Sequence, residues 1–465
     1  MGTLLKNSTS FSSLSLGDLS LPGTHDSISY DLSLTISKDG IDDHEALSKV
    51  LRKFSMLYPG EIEEFIRLQA KSQQLDIRQQ LDNGIRFIDF RLMFERDGED
   101  VTQDKWYCIH CSQSNLLSIQ YLQTVYDWLE VHPHEIVVIW LSRRGSTDDI
   151  GDDAYPDVPI EDKQHFWKRY TELFDKVLFD TRQSNYLTTP LDTLIKKNHR
   201  LVTFVSDYMN FTNNSHLAYD ARGIDNYFHE DGVFDEEITI RRQRHYFQNL
   251  NNRRLSGDTK WFDLMSMNTP CPPWQINAAA SRRFSPFDGN LKNGKWFKSC
   301  ASKTKIPGNL FCPETLLDIA QLTNYYNQIT LEEAYLTYAD EEGNRHLFPN
   351  AFYIDGIDFG GTIRTGTQLL MGTDHKNALE EHKFSAYAFT DTVIAYNINT
   401  ACKKSAMEVG EEISRTDASC SNLLSFIESR RGAHPFELWN EPYYGRLEGW
   451  PTLTLDLEER ISFNK

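Results

Sequence analysis

Short runs of residues that are apolar on both faces restrict the fold of this chain more than any other feature. One run covers residues 136–141 within EIVVIWLSRR, and RLVTFV at 200–205 is another. Such runs are typical of parallel strands that are covered on both faces, whereas a half-exposed strand alternates apolar and polar residues. Amphipathic helical spacing lies between them along the chain, for example over residues 118–131. Alternating strands and helices predict an α/β fold with a parallel sheet.

Length and composition are those of a folded protein. The 465 residues are enough for two or three domains or for one decorated barrel, and 40% of them are apolar. No run of about 18 apolar residues occurs, so we expect no transmembrane segment. The N-terminal MGTLLKNSTSFSSLSL argues against a secretory signal and for a cytoplasmic protein, with leaderless export left open. Seven cysteines, without zinc-site spacing, indicate a reducing compartment.

The stretch LSLPGTHDS, residues 19–27, places a histidine and a carboxylate side by side on a tight turn after a short apolar run. Pro22 and Gly23 end the run, and Gly23 lets the backbone turn where a side chain would clash. His25 and Asp26 are then presented at the carboxyl end of a strand, where sites form in parallel α/β proteins. The alternative is an ordinary turn, in which Asp26 accepts backbone hydrogen bonds and His25 is merely exposed.

A second pair of charged residues lies in the strand IRFIDFRL, residues 85–92, which follows a helix predicted over EIEEFIRLQAKSQQ at 61–74. The two-residue period of a strand puts Asp89 and Arg91 on the same face. Apolar residues on both faces indicate that this pair is buried, and a buried charge pair usually has a function or a partner. A surface ion pair is the alternative.

Two other strands end in residues that can take part in catalysis. KWYCIHC at 105–111 contains His110, and the strand 351–354 is followed by Asp355 and Asp358. Two histidines, an arginine and carboxylates suit phosphodiester chemistry. One histidine can deprotonate an attacking hydroxyl while the other protonates the leaving oxygen, each held in the right tautomer by a carboxylate. The guanidinium can stabilise the charge that develops on phosphorus.

These features together resemble the phosphatidylinositol-specific phospholipase C X-domain family. The resemblance rests on LPGTHDS at 21–27, on QQLDNGIRFIDFRL at 79–92, on His110 and on HPHEIVVIWLSR at 132–143. It implies a distorted TIM-type (β/α) barrel with a helical, aromatic-rich C-terminal extension. It also implies cleavage of phosphatidylinositol by attack of the inositol 2-hydroxyl on phosphorus, giving diacylglycerol and inositol 1,2-cyclic phosphate.

By this resemblance, six residues form the catalytic set and two contact the substrate. The catalytic set comprises the general base His25, the general acid His110 with its supporting Asp26, the phosphate-binding Arg91 with its orienting Asp89, and Asp355 behind His25. The substrate candidates are Arg143 and Asp358, and Asp358 is also the substitute for Asp355. The family's inositol-contacting arginine is not evident in VSDY at 205–208, so head-group specificity is left open.

Arg91 distinguishes between subgroups of the family. Calcium-dependent members carry an acidic residue at its position, whereas the metal-independent, bacterial-type members carry arginine, so we expect no metal and no other cofactor. Two alternatives stay open. One is a catalytically silent X-type barrel that binds lipid or protein. The other is a glycerophosphodiesterase-type barrel that needs a metal, and the presence of Arg91 argues against this alternative.

The predicted barrel covers residues 1–400, with a basic, aromatic insertion at about 241–305 and an extension at 401–465 packed on the barrel. The insertion has thirteen Lys and Arg against three Asp, in a chain of net charge −19. Basic charge interleaved with large aromatic residues is typical of a surface that binds an anionic membrane, and no nucleic-acid reading motif is present. The alternative is that the charges pair with acidic residues and the aromatics are core. The membrane-binding candidates are Arg282, Arg283, Lys292, Lys295 and Trp296.

Overall fold

The computed structural model describes residues 9–36, 60–95, 105–143, 155, 158–227, 236–268, 315–339, 348–358, 362–365, 380–383 and 388–409. Within these ranges, eleven strands form one sheet and two more pair antiparallel. The strands are β1 (Leu21–Thr24), β2 (Leu32–Ile36), β3 (Phe87–Phe94), β4 (Trp106–His110), β5 (Ser112–Leu117), β6 (Val137–Ser142), β7 (Leu201–Val205), β8 (Tyr219–Asp220), β9 (Ile224–Tyr227), β10 (Phe262–Ser266), β11 (Ala351–Ile354), β12 (Thr362–Thr365) and β13 (Glu380–Lys383).

The helices lie mostly between the strands of this sheet. They are α1 (Thr9–Ser12), α2 (Glu61–Ala70), α3 (Ile77–Asp82), α4 (Ser118–Val131), α5 (Ile160–Leu173), α6 (Leu191–Lys196), α7 (Tyr208–Thr212), α8 (Glu236–Leu255), α9 (Leu316–Ala339) and α10 (Ala388–Val409). The runs predicted at 136–141, 200–205 and 351–354 are strands to within one residue. Helix α2 ends at Ala70 rather than at residue 74, and the chain beyond it is extended.

Eight parallel strands form a sheet that curls into a barrel. Their order is β8-β7-β6-β3-β1-β11-β10-β9, and the edge strands β8 and β9 are joined by the short 3-10 turn Ala221–Gly223, so the two edges lie side by side. The rings of Phe204 in β7 and Phe262 in β10 are 5.1 Å apart, although β6, β3, β1 and β11 separate their strands in the sheet. The predicted α/β barrel is therefore confirmed, and it is distorted because no ladder joins β8 to β9 in the described ranges.

Apolar side chains fill the barrel and the layers around it. The interior cluster takes one or more residues from most of the barrel strands, including Leu21, Phe87, Trp140, Phe204 and Tyr353. Outside the sheet, α4 and α5 pack on the other face of β3 and β6, and α8 and α10 pack on β10 and β11. Burial on both faces explains why these strands are apolar throughout.

The strand that carries His110 is not part of the barrel. β3 continues past the barrel rim, and its residues Leu92 and Phe94 pair antiparallel with Cys108 and Trp106 of β4. β5 and β2 add to this small antiparallel extension. β4 runs antiparallel to β3, so its direction along the sheet is the reverse of that of the barrel strands. His110 is consequently brought back towards the rim from outside.

The first part of the predicted basic insertion belongs to the barrel. Residues 241–268 complete α8 and form β10, and the aromatic side chains of Tyr246, Phe247 and Phe262 are buried in the core. Arg253 and Arg254 both pair with Asp263. In this part, three of the aromatic side chains are core and two of the arginines are paired, while the insertion as a whole stays a prediction.

The five membrane-binding candidates, Arg282, Arg283, Lys292, Lys295 and Trp296, lie outside the described residues. Residues 410–465 of the predicted extension 401–465 also lie outside the described residues. The domain division at residue 400 stays a prediction. No helix in the described part of the chain is long and apolar enough to cross a bilayer.

Candidate active site

Neighbouring strands bring the six predicted catalytic residues together at the carboxyl end of the barrel. β1 lies between β3 and β11, and His25 and Asp26 directly follow β1. β3 contributes Asp89 and Arg91, β4 ends in His110, and Asp355 directly follows β11. Parallel strands end at the same edge of a sheet, which is why residues more than 300 positions apart meet here.

The turn after β1 has a specific backbone. A Cβ at Gly23 would lie 2.5 Å from the carbonyl oxygen of Phe352, so only glycine fits at this approach of β1 to β11. Asp26 has a φ of +45°, in the left-handed region that non-glycine residues rarely adopt. Its amide donates to Asp89 Oδ2 at 3.1 Å, which fixes the turn against β3. Left-handed backbone of this kind is often found at functional sites.

His25 is buried and is held on several sides. Its Nδ1 lies 2.6 Å from Asp355 Oδ1, and its ring stacks on Tyr353 with centroids 5.4 Å apart. The amide nitrogen of Asn268 lies 3.4 Å from both ring nitrogens. Burial lowers the pKa of His25, but the carboxylates of Asp26 and Asp355 outweigh burial and raise it above its ordinary value. Of the two candidates, Asp355 rather than Asp358 is therefore the carboxylate in contact with His25 Nδ1.

Arg91 lies at the centre of the group. Its Nε is 2.6 Å from Asp26 Oδ1 and 3.0 Å from Asp89 Oδ2, and its Nη2 is 2.6 Å from His25 Nε2. A guanidinium nitrogen can only donate, so Nε2 accepts and carries no proton in this geometry. Burial lowers the pKa of Arg91, but Asp26 and Asp89 outweigh burial and raise it further above its ordinary range. The guanidinium is therefore a permanent positive charge.

His110 faces the group from the antiparallel extension. Its Nδ1 is 2.5 Å from the carbonyl oxygen of Ala70 and 3.1 Å from Asp26 Oδ2, so Nδ1 carries the proton and Nε2 is the nitrogen that can exchange one. Its ring centroid is 6.0 Å from that of His25. Its side chain is 22% exposed, against 5% for His25. Burial, Arg91 and His25 lower the pKa of His110 to about 3.

The carboxylate of Asp26 is buried between the two histidines and Arg91. Its Oδ2 lies 3.4 Å from His25 Nε2 and 3.1 Å from His110 Nδ1, while its Oδ1 contacts Arg91. Neither oxygen accepts a well-aligned hydrogen bond. Its main interaction is therefore that of its charge with the guanidinium of Arg91.

A metal ion would find donor atoms here, but they are already engaged. His25, Asp26 and Asp89 offer ligand atoms within 4.8 Å of one another, as a metal site requires. Arg91 contacts one atom of each of the three, namely His25 Nε2, Asp26 Oδ1 and Asp89 Oδ2. A divalent cation would have to displace a buried guanidinium, so these residues fit a metal poorly while Arg91 is present.

The two substrate candidates lie at the same end of the barrel as the catalytic group. Arg143 follows β6 directly, next to Ser142, whose hydroxyl donates to Asp89 Oδ1 at 3.3 Å. Asp358 lies three residues beyond Asp355, and burial raises its pKa. Their roles as substrate ligands stay predictions.

Sequence reasoning did not single out several buried residues that support the site. Tyr353 occupies an apolar position of β11, so its stacking on His25 has no sequence signal. Asn324 of α9 donates to the backbone carbonyls of Asp355 and Gly356 at 2.8 and 3.2 Å. Gln73 lies in the stretch predicted as helix. The sequence does contain a signal for Asn324, since polar residues at 323–324 and 327–328 interrupt the apolar pattern of α9.

Comparison with known proteins identifies a family match over part of the chain. Residues 65–239 match the family model PI-PLC X 1. The human PI-PLC X domain-containing protein 1 is 29% identical over 124 residues, which cover 27% of this chain and 36% of that protein. The zebrafish (Danio rerio) protein of the same name is 32% identical over 128 residues, covering 27% and 38%. The matched segment thus spans little more than a third of these relatives.

Two solved structures are also similar. A phosphatidylinositol-specific phospholipase C from Listeria monocytogenes has a TM-score of 0.40 and 15% identity, covering 74% of this chain and 90% of that one. The phosphatidylinositol-specific phospholipase C from S. aureus has a TM-score of 0.44 and 10% identity, covering 82% and 94%. At these values neither structure supports an inference about the site.

Proposed function

We propose that this chain, whose residues 65–239 match the PI-PLC X 1 model, is a phosphodiesterase that cleaves phosphatidylinositol by internal attack of the inositol 2-hydroxyl. The observation that carries this proposal is the position of Arg91 between His25, Asp26 and Asp89. A fixed cation beside two histidines matches the needs of a phosphodiester, which brings one negative charge and needs both a base and an acid.

In the proposed reaction, the inositol 2-hydroxyl oxygen bonds to phosphorus as its proton moves to His25 Nε2. The bond between phosphorus and the glycerol oxygen breaks, and that oxygen takes a proton from His110 Nε2. The products are diacylglycerol and inositol 1,2-cyclic phosphate. Asp355 holds the proton on His25 Nδ1, at 2.6 Å, and so leaves Nε2 as the basic nitrogen.

Substrate binding requires a rearrangement at His25 in this mechanism. Arg91 Nη2 lies at His25 Nε2, which is the atom that the hydroxyl must reach. The phosphate is the better partner for Nη2, because it is charged and accepts hydrogen bonds. We infer that the phosphate draws Nη2 away from His25 and so makes the base available only when substrate is bound.

The proton on His110 also depends on substrate. With a pKa of about 3, His110 is neutral near pH 7 in the site as described, whereas a general acid must be protonated. Burial is the largest cause of this low pKa, and the charges of Arg91 and His25 are the next largest. A phosphate anion bound beside Arg91 and His25 counters those charges. Asp26, 3.1 Å from Nδ1, acts in the same direction. Binding of the anionic substrate should therefore raise the pKa of His110.

A membrane surface is the proposed second partner, because phosphatidylinositol resides in one. Four strongly exposed apolar side chains lie on the carboxyl side of the barrel strands, either at the start of a helix that follows a strand or in the antiparallel extension: Ile160, Met209, Leu34 and Leu116. Two others, Val131 and Leu255, end helices at the opposite side. Apolar residues around a site favour approach to a lipid surface.

Phosphorus NMR of the products tests the proposal. Phosphatidylinositol in vesicles is incubated with the protein and excess EDTA, and the cyclic phosphate resonance should appear while the diester resonance decays. No cleavage under any condition would favour the silent binding module. Cleavage that stops in EDTA and returns with a divalent cation would favour the metal-dependent diesterase.

A further inference from the structure

The stretch Ala70–Gln73 links the catalytic residues by hydrogen bonds, and we call it the 70–73 bridge. It begins at the last residue of α2 and leaves the helix in extended conformation at Lys71, which has ψ of 104°. At its first residue, the carbonyl oxygen of Ala70 accepts from His110 Nδ1 at 2.5 Å. At its last, Gln73 contacts the backbone of His25. One short stretch of chain therefore touches the proposed acid and the proposed base.

Gln73 lies where the β1–β11 ladder ends. The paired register of these strands runs from Leu21–Ala351 to Thr24–Ile354. Directly beyond it, the side-chain amide of Gln73 donates to the carbonyl oxygen of His25 at 2.9 Å and to that of Ile354 at 2.8 Å. Ile354 directly precedes Asp355, so the Gln73 amide joins the backbone of His25 to the backbone next to Asp355.

Ser72 supports the same junction from the backbone. Its carbonyl oxygen accepts from the Gly356 amide at 2.7 Å, and its hydroxyl lies 3.2 Å from the carbonyl oxygen of His25. Ser72 and Gln73 are 0% and 1% exposed. Hydrogen bonds in such an environment are not exchanged with water, so they fix geometry effectively.

We propose that Gln73 is a positioning residue that sets the distance between His25 and Asp355, and that the 70–73 bridge thereby holds base and acid in register. This inference rests on the proposed function for the roles of the two histidines. The contact between Nδ1 and Oδ1 is 2.6 Å, and His25 and Asp355 each lie one residue beyond the paired register of β1 and β11. A displacement of about 1 Å at a reacting group can cost about a hundredfold in rate.

Removal of the Gln73 amide should leave a folded protein. The carbonyl oxygen of Ile354 still accepts from the His25 amide at 3.1 Å, and that of His25 keeps the Ser72 hydroxyl. Neither buried oxygen becomes unsatisfied, which avoids the largest cost of deleting a buried donor. The effect of Gln73→Leu should therefore fall on geometry more than on stability.

A matched control lies at the opposite end of β1. Asn397 is a buried amide of α10 that donates to the carbonyl oxygen of Ser20 at 2.6 Å and accepts from its amide at 2.8 Å. Ser20 directly precedes β1. Asn397→Leu therefore also removes two hydrogen bonds to the backbone of this strand, but far from its catalytic end.

The test uses the titration of His25, which needs no substrate. Labelled imidazole carbon signals are followed by NMR against pH in the full chain, and His25→Gln identifies the His25 signal. Asp355 is one of the groups that raise the pKa of His25, so Gln73→Leu should move its midpoint down towards the ordinary value of 6.5. Asn397→Leu should leave the midpoint in place while lowering the melting temperature at least as much.

Turnover of phosphatidylinositol provides the second readout. Gln73→Leu should lower kcat by about tenfold or more with little change in KM, whereas Asn397→Leu should keep kcat within about twofold. An unmoved His25 midpoint in Gln73→Leu would overturn the proposal, whatever the turnover. If neither parent nor variant cleaves the lipid, the proposed function fails and the titration still decides on Gln73. Should Gln73→Leu not fold, Gln73→Asn, which is too short to reach both carbonyls, must shift the midpoint in the same direction.

Discussion

Replacement of Arg91 by lysine tests the role of the guanidinium without removing its charge. Arginine makes three contacts in the site, two through Nε and one through Nη2. Lysine has a single nitrogen and cannot span Asp26, Asp89 and a phosphate together. Because the positive charge remains, the buried carboxylates stay compensated and the fold should persist.

The magnitude follows from the contacts that are lost. The bonds to Asp26 and Asp89 are already formed without substrate, so the bonds that count against kcat are those to the phosphate, of which a lysine anchored on the carboxylates loses about two. At roughly 1.5–3 kcal/mol each, their loss amounts to ~3–6 kcal/mol. If these bonds form fully only with the transition state, kcat falls by about two to four orders of magnitude.

The assay is steady-state release of inositol cyclic phosphate by Arg91→Lys, with Arg86→Lys as control. Arg86 is also buried, directly precedes the same strand, and pairs with Glu135 at 2.8 Å at the opposite end of the barrel. The control should lose stability and keep kcat. A kcat within fivefold of the parent in Arg91→Lys, or equal losses in both variants, would refute the reasoning.

Four other outcomes are expected. Activity should survive excess EDTA in parallel assays with and without added Ca²⁺, because Arg91 contacts the three potential ligands; strict dependence on the added ion would contradict this. His25→Ala and His110→Ala should each abolish turnover, but a substrate whose leaving group needs no proton should rescue only His110→Ala, and equal rescue would reverse the assigned roles. In the unfolded chain His110 is protonated below pH 6.5, whereas in the folded chain it stays neutral down to about pH 3, so the free energy of unfolding falls as the pH drops between these values. Urea unfolding at pH 4 should show that His110→Gln avoids on the order of 3 kcal/mol of that loss, and the same pH dependence in parent and variant would argue against it. Charge reversal of Arg282, Arg283, Lys292 and Lys295 to glutamate should abolish salt-sensitive sedimentation with anionic vesicles while sparing turnover of a short-chain soluble substrate, and undiminished vesicle binding would exclude this segment as the membrane surface.

The residues of the candidate site could be predicted because each lies within, or directly after, a strand that the sequence pattern indicates. LPGTHDS and the alternation in IRFIDFRL placed His25, Asp26, Asp89 and Arg91 without knowledge of the strand order. The choice between Asp355 and Asp358 could not be made in the same way, because both follow the same strand. It depends on which carboxylate the turn at Gly356 leaves beside His25, and that is a matter of three-dimensional geometry.

The parts that sequence could not supply are those held by backbone contacts. Residues 71–74 continue the polar composition of α2, and nothing in KSQQ shows that the chain there leaves the helix to bind two strand ends. The antiparallel pairing of β4 with β3 could not be predicted either, because the sequence of a short strand does not show in which direction it pairs. Such features depend on partners that are distant in sequence, and local patterns do not encode them.

The location of His110 outside the barrel has a consequence for the timing of local opening. β4 is held by two antiparallel neighbours in a small extension with exposed leucines, whereas β1, which leads to His25, is paired on both sides within the barrel. Units with fewer buried contacts open more often than the rest of a native protein. Amide hydrogens of β4 should therefore exchange with solvent well before those of β1. During each such opening the protein would keep the proposed base in place and lose the proposed acid, so the proposed catalysis would be interrupted without any loss of the barrel.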